Sequence, residues 1–198
     1  MMRVVPVGER ACLVEVEDAV AAASLAAWAR DSGLAADDIV PAATTVLLDG
    51  VDPASVAAAL PPLARESPSD SRAMVRVEVT YDGSDLERVA DHWGCSPDEV
   101  VARHTATDFT SLFCGFAPGF AYLGGLAADL AVPRLDSPRS RVDPGSVALA
   151  DQWCGIYPTA SPGGWLVIGR TDATLWDASR DSPALLAPGT RVRFEAVR

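Results

Sequence analysis

Three segments in the second half of the chain combine residue types that could hold a small ligand. The first, Phe113–Leu126 (FCGFAPGFAYLGGL), alternates aromatic side chains with glycines. Glycine permits positive φ and leaves the backbone bare, so neighbouring N–H groups can converge on a carboxylate or phosphate. Aromatic rings between the glycines would fix the loop and exclude water. Candidate substrate-binding residues here are Gly115, Phe116, Pro118 and Gly119. A tightly packed barrel corner that binds nothing would use the same residues.

The second segment carries three arginines in a loop bounded by prolines, within an acidic protein. It runs from Pro133-Arg134 to Ser137–Arg141. A guanidinium can hold a carboxylate or phosphate through two parallel hydrogen bonds, and Arg139 is the candidate for this role. Surface pairing with nearby Asp and Glu side chains is the alternative use of these charges.

The third segment, Gly155–Trp165 (GIYPTASPGGW), leads to an arginine at position 170. Its hydroxyl groups could donate hydrogen bonds, and its paired glycines could let a substrate approach the backbone. A β-hairpin with a well-packed Trp165 would also explain the composition. The candidate binding residues of this segment are Tyr157, Ser161, Gly163, Gly164 and Arg170.

His104 is the candidate for proton transfer. The chain has two histidines, and histidine titrates near neutral pH, so this side chain could act as a general acid or base. It shares a helical face with Val100 and Val101. A half-buried histidine near a helix C-terminus, stabilised by the helix dipole, needs no catalytic role. The sequence leaves both possibilities open.

Several classes of function are disfavoured by composition and by missing motifs. The formal net charge of -11 argues against a nucleic-acid protein and against a polybasic membrane contact. The sequence has no GxxxxGK[ST] phosphate loop, no GxGxxG, no HExxH and no GxSxG. His92 and Cys95 have a loosely metal-like spacing, but no second ligand pair completes a tetrahedral site, so we expect no metal site.

The cellular location follows from the N-terminus and the cysteines. No apolar run is long enough for a signal peptide or for a membrane span of about 18 residues. The four cysteines are scattered and have no CxxC spacing. We therefore expect reduced, half-buried thiols in a cytoplasmic protein.

The elements that must position these segments form two domains. Residues 1–80 show a β-α-β-β-α-β order, with Asp18 and Asp52 as helix N-caps, which predicts a ferredoxin-like α/β domain. The polar stretch 66–71 is a plausible connector, and the alternating segment Met74–Tyr81 is assigned to this domain as its last strand. Residues 81–198 begin with a helical pair, whose second helix has a capping box at Ser96–Glu99.

The chain changes character after residue 105. Short β-like runs, such as 146–150, 165–169, 174–176 and 192–197, are separated by Gly and Pro turns. Strands at this spacing predict a closed or nearly closed β-barrel. The fold class is therefore α+β.

Taken together, the three segments resemble the family that groups the B-type subunit of 5-oxoprolinase, allophanate hydrolase subunit 1 and the sporulation-kinase inhibitor. The matching strings are Phe113–Leu126, Pro138-Arg139 with Gly145-Ser146-Val147, and Gly155–Arg170. The likeness extends to an opening strand pair at Val5–Glu15 and covers nearly the whole chain. One departure is Trp153, where the family often carries a glutamine.

The resemblance implies an N-terminal ferredoxin-like domain and a cyclophilin-like β-barrel that pairs with a second cyclophilin-like subunit around a shared cleft. It also implies a third, lactamase-like subunit and an ATP-dependent opening of the 5-oxoproline lactam to glutamate. The chain would be inactive alone, and the ATP-binding subunit is left open. Backbone donors at Gly115, Gly119, Gly163 and Gly164 would stabilise developing charge. The alternatives are a histidine-kinase inhibitor and the allophanate hydrolase subunit of a urea-degrading system.

Overall fold

The chain folds into two compact units, Met1–Asp70 and Ser71–Arg198, each with its own hydrophobic core. The computed structural model describes residues 2–61 and 74–197. An α/β unit followed by a closed β-barrel confirms the predicted α+β class. The predicted connector at 66–71 lies outside the described residues. None of the helices in residues 2–61 and 74–197 is long and apolar enough to cross a membrane.

The N-terminal unit is a four-stranded antiparallel sheet with two helices. Its strands occur in the order β1-β2-β4-β3. The elements are β1 Arg3–Pro6, β2 Ala11–Glu15, α1 Ala19–Asp31, β3 Asp38–Pro41, β4 Thr45–Asp49 and α2 Pro53–Ala59.

Both predicted helix N-caps of this unit are confirmed. The Asp18 carboxylate accepts a hydrogen bond from the Ala21 N–H at 2.8 Å. The Asp52 carboxylate accepts from the Ser55 N–H at 3.0 Å, and Pro53 occupies the first helical turn. These bonds satisfy N–H groups that have no partner within the helix.

One strand belongs to a different sheet from the one that the sequence predicts. Strand β5, Val75–Thr80, is predicted in the N-terminal domain, but it pairs in parallel with β13 and touches β12 in the barrel. The position beside β2 is taken instead by β1, which pairs antiparallel with it. The alternation of Val75, Val77 and Val79 indicates a strand with a buried face, but it carries no information about the neighbouring strand. The domain boundary therefore precedes β5.

The C-terminal unit is built around a closed seven-stranded barrel, with the strand order β10-β7-β6-β13-β5-β12-β9. Strands β9 and β10 pair to close it, and β8 and β11 form a separate ribbon. The further elements are α3 Leu86–Trp93, α4 Pro97–Ala106, β6 Phe109–Cys114, β7 Ala121–Gly124, β8 Arg139–Val142, β9 Ser146–Ala150, β10 Trp153–Ile156, β11 Ser161–Gly163, β12 Leu166–Arg170 and β13 Arg191–Val197. The predicted strand 174–176 is not formed; Trp176 makes a single bridge to Ala184.

Alternate residues of the barrel strands contribute to two different cores. In β9, Val147 and Leu149 join the main core, whereas Ala148 and Ala150 join a second, aromatic cluster. Because successive side chains of a strand point to opposite faces, the aromatic cluster covers the outer face of the barrel wall. Val142 of the β8–β11 ribbon packs against this cluster. The outer face is therefore a packed surface, and it positions the candidate site.

Candidate functional site

A cavity of about 310 Å³ lies on the aromatic outer face of the barrel. Its volume is at the lower end of the range for small-molecule sites. All three segments singled out from the sequence contribute to it, together with strands β9 and β10 and the turn between them. The lining residues are Phe116, Phe120, Tyr122, Arg134, Ala150, Asp151, Trp153, Tyr157, Pro162, Gly163 and Trp165.

The aromatic walls are held by edge-to-face contacts centred on Phe120. Its ring centroid lies 5.1 Å from that of Tyr122, 5.6 Å from that of Tyr157 and 5.4 Å from that of Trp165. This packing depends on a glycine at position 155, because a Cβ atom there would lie 2.8 Å from the Phe120 ring. Contacts of this kind favour one arrangement of the rings. The cavity walls are therefore largely pre-formed.

Backbone strain is concentrated at this cavity. Among the described residues, the non-glycine residues with positive φ are Phe116, at 67°, and Asp151, at 53°, and both line the cavity. Left-handed backbone is uncommon for Asp and a clear outlier for a bulky residue such as Phe. Phe116 is also 61% exposed. Strain of this type is typical of functional sites.

The structure brings three of the predicted site residues together: Phe116, Tyr157 and Gly163 all line the cavity. Gly163 has no room for a side chain, because a Cβ atom would lie against the Tyr157 hydroxyl group. Burial is the largest influence on the Tyr157 phenol and raises its pKa. The backbone N–H of Trp165 and the positive charges of Arg134 and Arg139 lower the pKa by smaller amounts. Tyr157 is therefore a neutral hydrogen-bonding group at neutral pH.

The other predicted loop residues do not line the cavity. The Gly115 N–H is already used, since it donates to the Phe120 carbonyl at 3.3 Å, so it is not a free donor for a ligand. Gly119 is buried against Trp176, and Pro118 is exposed in the turn. Gly164 and Ser161 flank the two lining residues of the ribbon. The Ser161 hydroxyl group is buried and has no hydrogen-bond partner in the described part of the chain.

The two predicted arginines are engaged in ion pairs. Arg139 lies in β8, and its Nη2 atom is 2.7 Å from Oδ1 of Asp85. Its Nη1 atom is buried without a partner among the residues described. The Arg170 Nε atom donates to Asp82 at 2.8 Å, beside a different surface depression. Neither guanidinium lines the aromatic cavity, so the structure does not place them on a ligand there.

His104 lies in the barrel core and not at the cavity. The residue is fully buried, and its ring packs against Phe109 and Phe194. Nδ1 lies 2.7 Å from the Tyr81 hydroxyl group, and Nε2 lies 3.4 Å from the Cys154 sulfur. Burial lowers the pKa of His104 to about 3, so the ring is neutral at neutral pH. Both nitrogens are engaged inside the protein, which separates this residue from any proton transfer at the cavity.

Sequence reasoning misses most of the cavity walls. Phe120, Tyr122 and Trp165 belong to the motifs above but are not predicted as ligand-facing groups, and Asp151 is not predicted at all. Trp153 stands out in the sequence only as a departure from the family pattern; it lines the cavity and packs edge-on to Phe113. Tyr122 and Trp153 alternate with residues of the barrel core in β7 and β10. That alternation is the signal that could have identified an aromatic outer face.

No cluster that could hold a metal ion is found among the described residues. ATP is a poor match to the cavity itself. A triphosphate requires several cations or converging N–H groups. Arg134 is the one basic residue in the described lining, and aromatic rings form most of the remainder.

A small α/β unit, followed along the chain by a closed barrel with an aromatic cavity on its outer face, defines the class of this protein. The family model for the carboxyltransferase domain, subdomain C and D, matches residues 2–186, and the chain belongs to this family. It is 45% identical over 123 residues to the B-type subunit of 5-oxoprolinase from Escherichia coli O157:H7. It is 41% identical over 127 residues to the protein of the same name from Bacillus subtilis.

These matches cover 61% and 63% of the chain, and 56% and 53% of the two relatives, so little more than half of each relative is spanned. The crystal structure of TTHA0988 aligns with a TM-score of 0.78 at 32% identity, over 100% of this chain and 41% of that one. The Kluyveromyces lactis urea amidolyase aligns with a TM-score of 0.68 at 17% identity, over 99% of this chain and 15% of that one. The likeness to urea amidolyase shows the fold alone.

Proposed function

We propose that this chain is the B-type subunit of an ATP-dependent 5-oxoprolinase and that its cavity forms part of the site for the lactam. The observation that carries the proposal is the aromatic cavity on the outer barrel face, which brings together residues from each of the three candidate segments singled out in the sequence. The identity of 45% to a B-type subunit of 5-oxoprolinase supports the same assignment. The four cysteines are free thiols, as is usual in the cytoplasm, where we place the complex.

The chain supplies walls and orientation in this proposal, and other subunits supply the remaining chemistry. The cavity is open to the surface and its neutral groups, such as Tyr157, can donate hydrogen bonds to a carbonyl oxygen. A second barrel subunit would complete the cleft and a third subunit would complete the reaction. ATP would bind to a partner subunit, because the lining described above does not suit a triphosphate. The urea-degrading and kinase-inhibitor alternatives gain no comparable support.

The test is to co-express the chain with a second barrel subunit and a lactamase-like subunit and to measure glutamate released from 5-oxoproline. We expect release that requires ATP and all three proteins. A complete trio that assembles but releases no glutamate would overturn the proposal. Activity of this chain alone would overturn the requirement for partners. Allophanate and a histidine kinase, tested with the same preparations, provide the readouts for the two alternative functions.

A further inference from the structure

We infer that Arg134 and Asp151 orient the ligand in the aromatic cavity, Arg134 by binding a carboxylate and Asp151 by accepting a hydrogen bond from an amide N–H. The inference rests on the proposed function. It goes further because it assigns the carboxylate and the amide N–H of the lactam to particular side chains. Both residues line the cavity, and they carry opposite charges. A ligand with an anionic group and an N–H donor would match this pair.

Neither charged side chain is held in an ion pair by the part of the chain that the structure describes. Across residues 2–61 and 74–197, Arg134 forms no ion pair, and the Asp151 carboxylate accepts no hydrogen bond. Other arginines of this region are paired, including Arg139 with Asp85 and Arg141 with Asp143. A cation and an anion that share a cavity without pairing with each other are both available to a ligand.

The backbone around Arg134 is fixed on both sides. Val132 and Asp151 exchange two hydrogen bonds, of 3.0 Å and 2.6 Å, which hold the two segments side by side. The Leu135 N–H donates to the Gly164 carbonyl at 2.7 Å, which attaches the next residue to the end of the ribbon. Arg134 is thus anchored two residues before and one residue after its own position. Anchoring of this kind lowers the entropy that the backbone around a binding residue loses when a ligand binds.

The aromatic rings define what lies between the two charges. Rings of Phe116, Trp153 and Tyr157 form an apolar space suited to a small, flat, partly apolar ring. Asp151 lies in the turn after β9, has a left-handed backbone and lines the cavity. Such a backbone conformation persists where the surrounding structure holds it in place. Taken with the proposed function, these groups assign the ligand as a small cyclic amide that bears a carboxylate.

The experiment measures binding by the full chain, without partners, in NMR titrations with three probes. 5-Oxoproline carries both groups, 2-pyrrolidinone lacks the carboxylate, and cyclopentanecarboxylate lacks the amide. We expect Arg134→Gln to weaken binding of 5-oxoproline by about tenfold or more and to leave 2-pyrrolidinone unchanged, since hydrogen bonds to charged groups are the stronger kind. Asp151→Asn retains the turn and an acceptor oxygen but removes the charge, so it should weaken binding of 5-oxoproline by a smaller factor, about threefold or more, and leave cyclopentanecarboxylate unchanged.

Arg191→Gln is the matched control, because it removes an exposed arginine from β13, on another part of the barrel. Three outcomes would each overturn the inference. They are equal losses of affinity for all three probes, no loss of affinity in either variant, and no binding of 5-oxoproline by the unaltered chain. The titration needs neither ATP nor turnover. If the three proteins together release no glutamate but the variants change probe binding as expected, only the proposed function is overturned. If glutamate is released but neither variant changes the probe selectivity, only the inference is overturned.

Discussion

The carboxylate of Asp85 forms an ion pair with Arg139 and joins three elements of the barrel unit. Its Oδ1 atom lies 2.7 Å from Nη2 of Arg139 in the ribbon strand β8, and its Oδ2 atom accepts a hydrogen bond of 2.7 Å from the Val167 N–H in β12. Asp85 is also the residue that precedes α3. The side chain of Asp85 is 6% exposed and that of Arg139 is 31% exposed. The pair therefore fixes the ribbon that forms one wall of the cavity.

Breaking this pair is expected to destabilise the protein. Removing one partner of a buried ion pair leaves the other without compensation and costs about 3–5 kcal/mol. We expect Asp85→Ala to lower the free energy of unfolding by about 3 kcal/mol, near the lower limit because Arg139 is partly exposed. The control is Arg141→Ala, which breaks a surface pair in the same strand and should cost less than about 1 kcal/mol. Urea denaturation measures both, and equal losses would contradict the structural role.

The buried imidazole of His104 predicts a dependence of stability on pH. Its folded pKa of about 3 is below the ordinary value of 6.5, so protonation favours the unfolded chain. Its contribution is fully present above pH 6.5 and is lost as the pH falls from 6.5 towards 3. Between pH 6.5 and 4.5 this group alone should remove about 2–3 kcal/mol.

Urea midpoints measured across that range test the expectation, with His104→Gln as the comparison. The variant should be less stable at pH 7, because it disturbs the contacts to Tyr81 and Cys154, but its stability should fall less steeply with acid. NMR spectra should show a neutral His104 ring down to pH 4.5. A ring that titrates near pH 6.5 in the folded protein would refute the burial argument.

The neighbouring glycines 163 and 164 provide a matched pair of substitutions. A Cβ atom on Gly163 would overlap the Tyr157 hydroxyl group, whereas one on Gly164 would have ordinary contacts of 3.7 Å. We expect Gly163→Ala to displace Tyr157, to lower stability by about 1–3 kcal/mol and to reduce glutamate release by the trio. Gly164→Ala should leave the cavity intact. Similar effects on thermal unfolding and on activity would show that Tyr157 is not the determinant.

Substitution of Phe116 is expected to reduce activity more than it reduces stability. The left-handed backbone of Phe116 destabilises the folded state by about 1–2 kcal/mol. Its edge-to-face contacts with Phe120 and Tyr157 stabilise the folded state by a comparable amount. Phe116→Gly should therefore change the free energy of unfolding by less than about 1 kcal/mol while it reduces activity. The buried Phe120→Ala is the comparison and should cost about 3–5 kcal/mol. A large destabilisation by Phe116→Gly would mean that the exposed ring is structural.

The sequence predicts local structure better than it predicts sheet partners. The caps at Asp18, Asp52 and Ser96 depend on residues two or three positions away and are confirmed. Strand β5 is recognisable as a strand, but its partner β13 lies more than 110 residues further along the chain. No feature within Val75–Thr80 distinguishes the two sheets, because both would bury the same valines.

The candidate site, like the fold, can be predicted from the sequence only where local composition determines it. The aromatic and glycine segments can be identified because their composition is unusual, and the structure brings members of all three to one cavity. His104 and Arg139 cannot be placed from the sequence, because the burial of a side chain and the identity of an ion-pair partner depend on the whole fold. Asp151 cannot be singled out from the sequence, because its place at the cavity depends on the fold, which pairs it with Val132.

The parallel pairing of β5 with β13 also determines the order in which the protein can be assembled during synthesis. All four strands of the N-terminal sheet are available once residue 49 has left the ribosome, so that sheet can form early. The barrel cannot close until residues 191–197 emerge, and until then β5 lacks its parallel neighbour and leaves that edge open to other nascent chains. The interval between the emergence of β5 and that of β13 is thus the one in which the unfinished barrel is most open to misassociation.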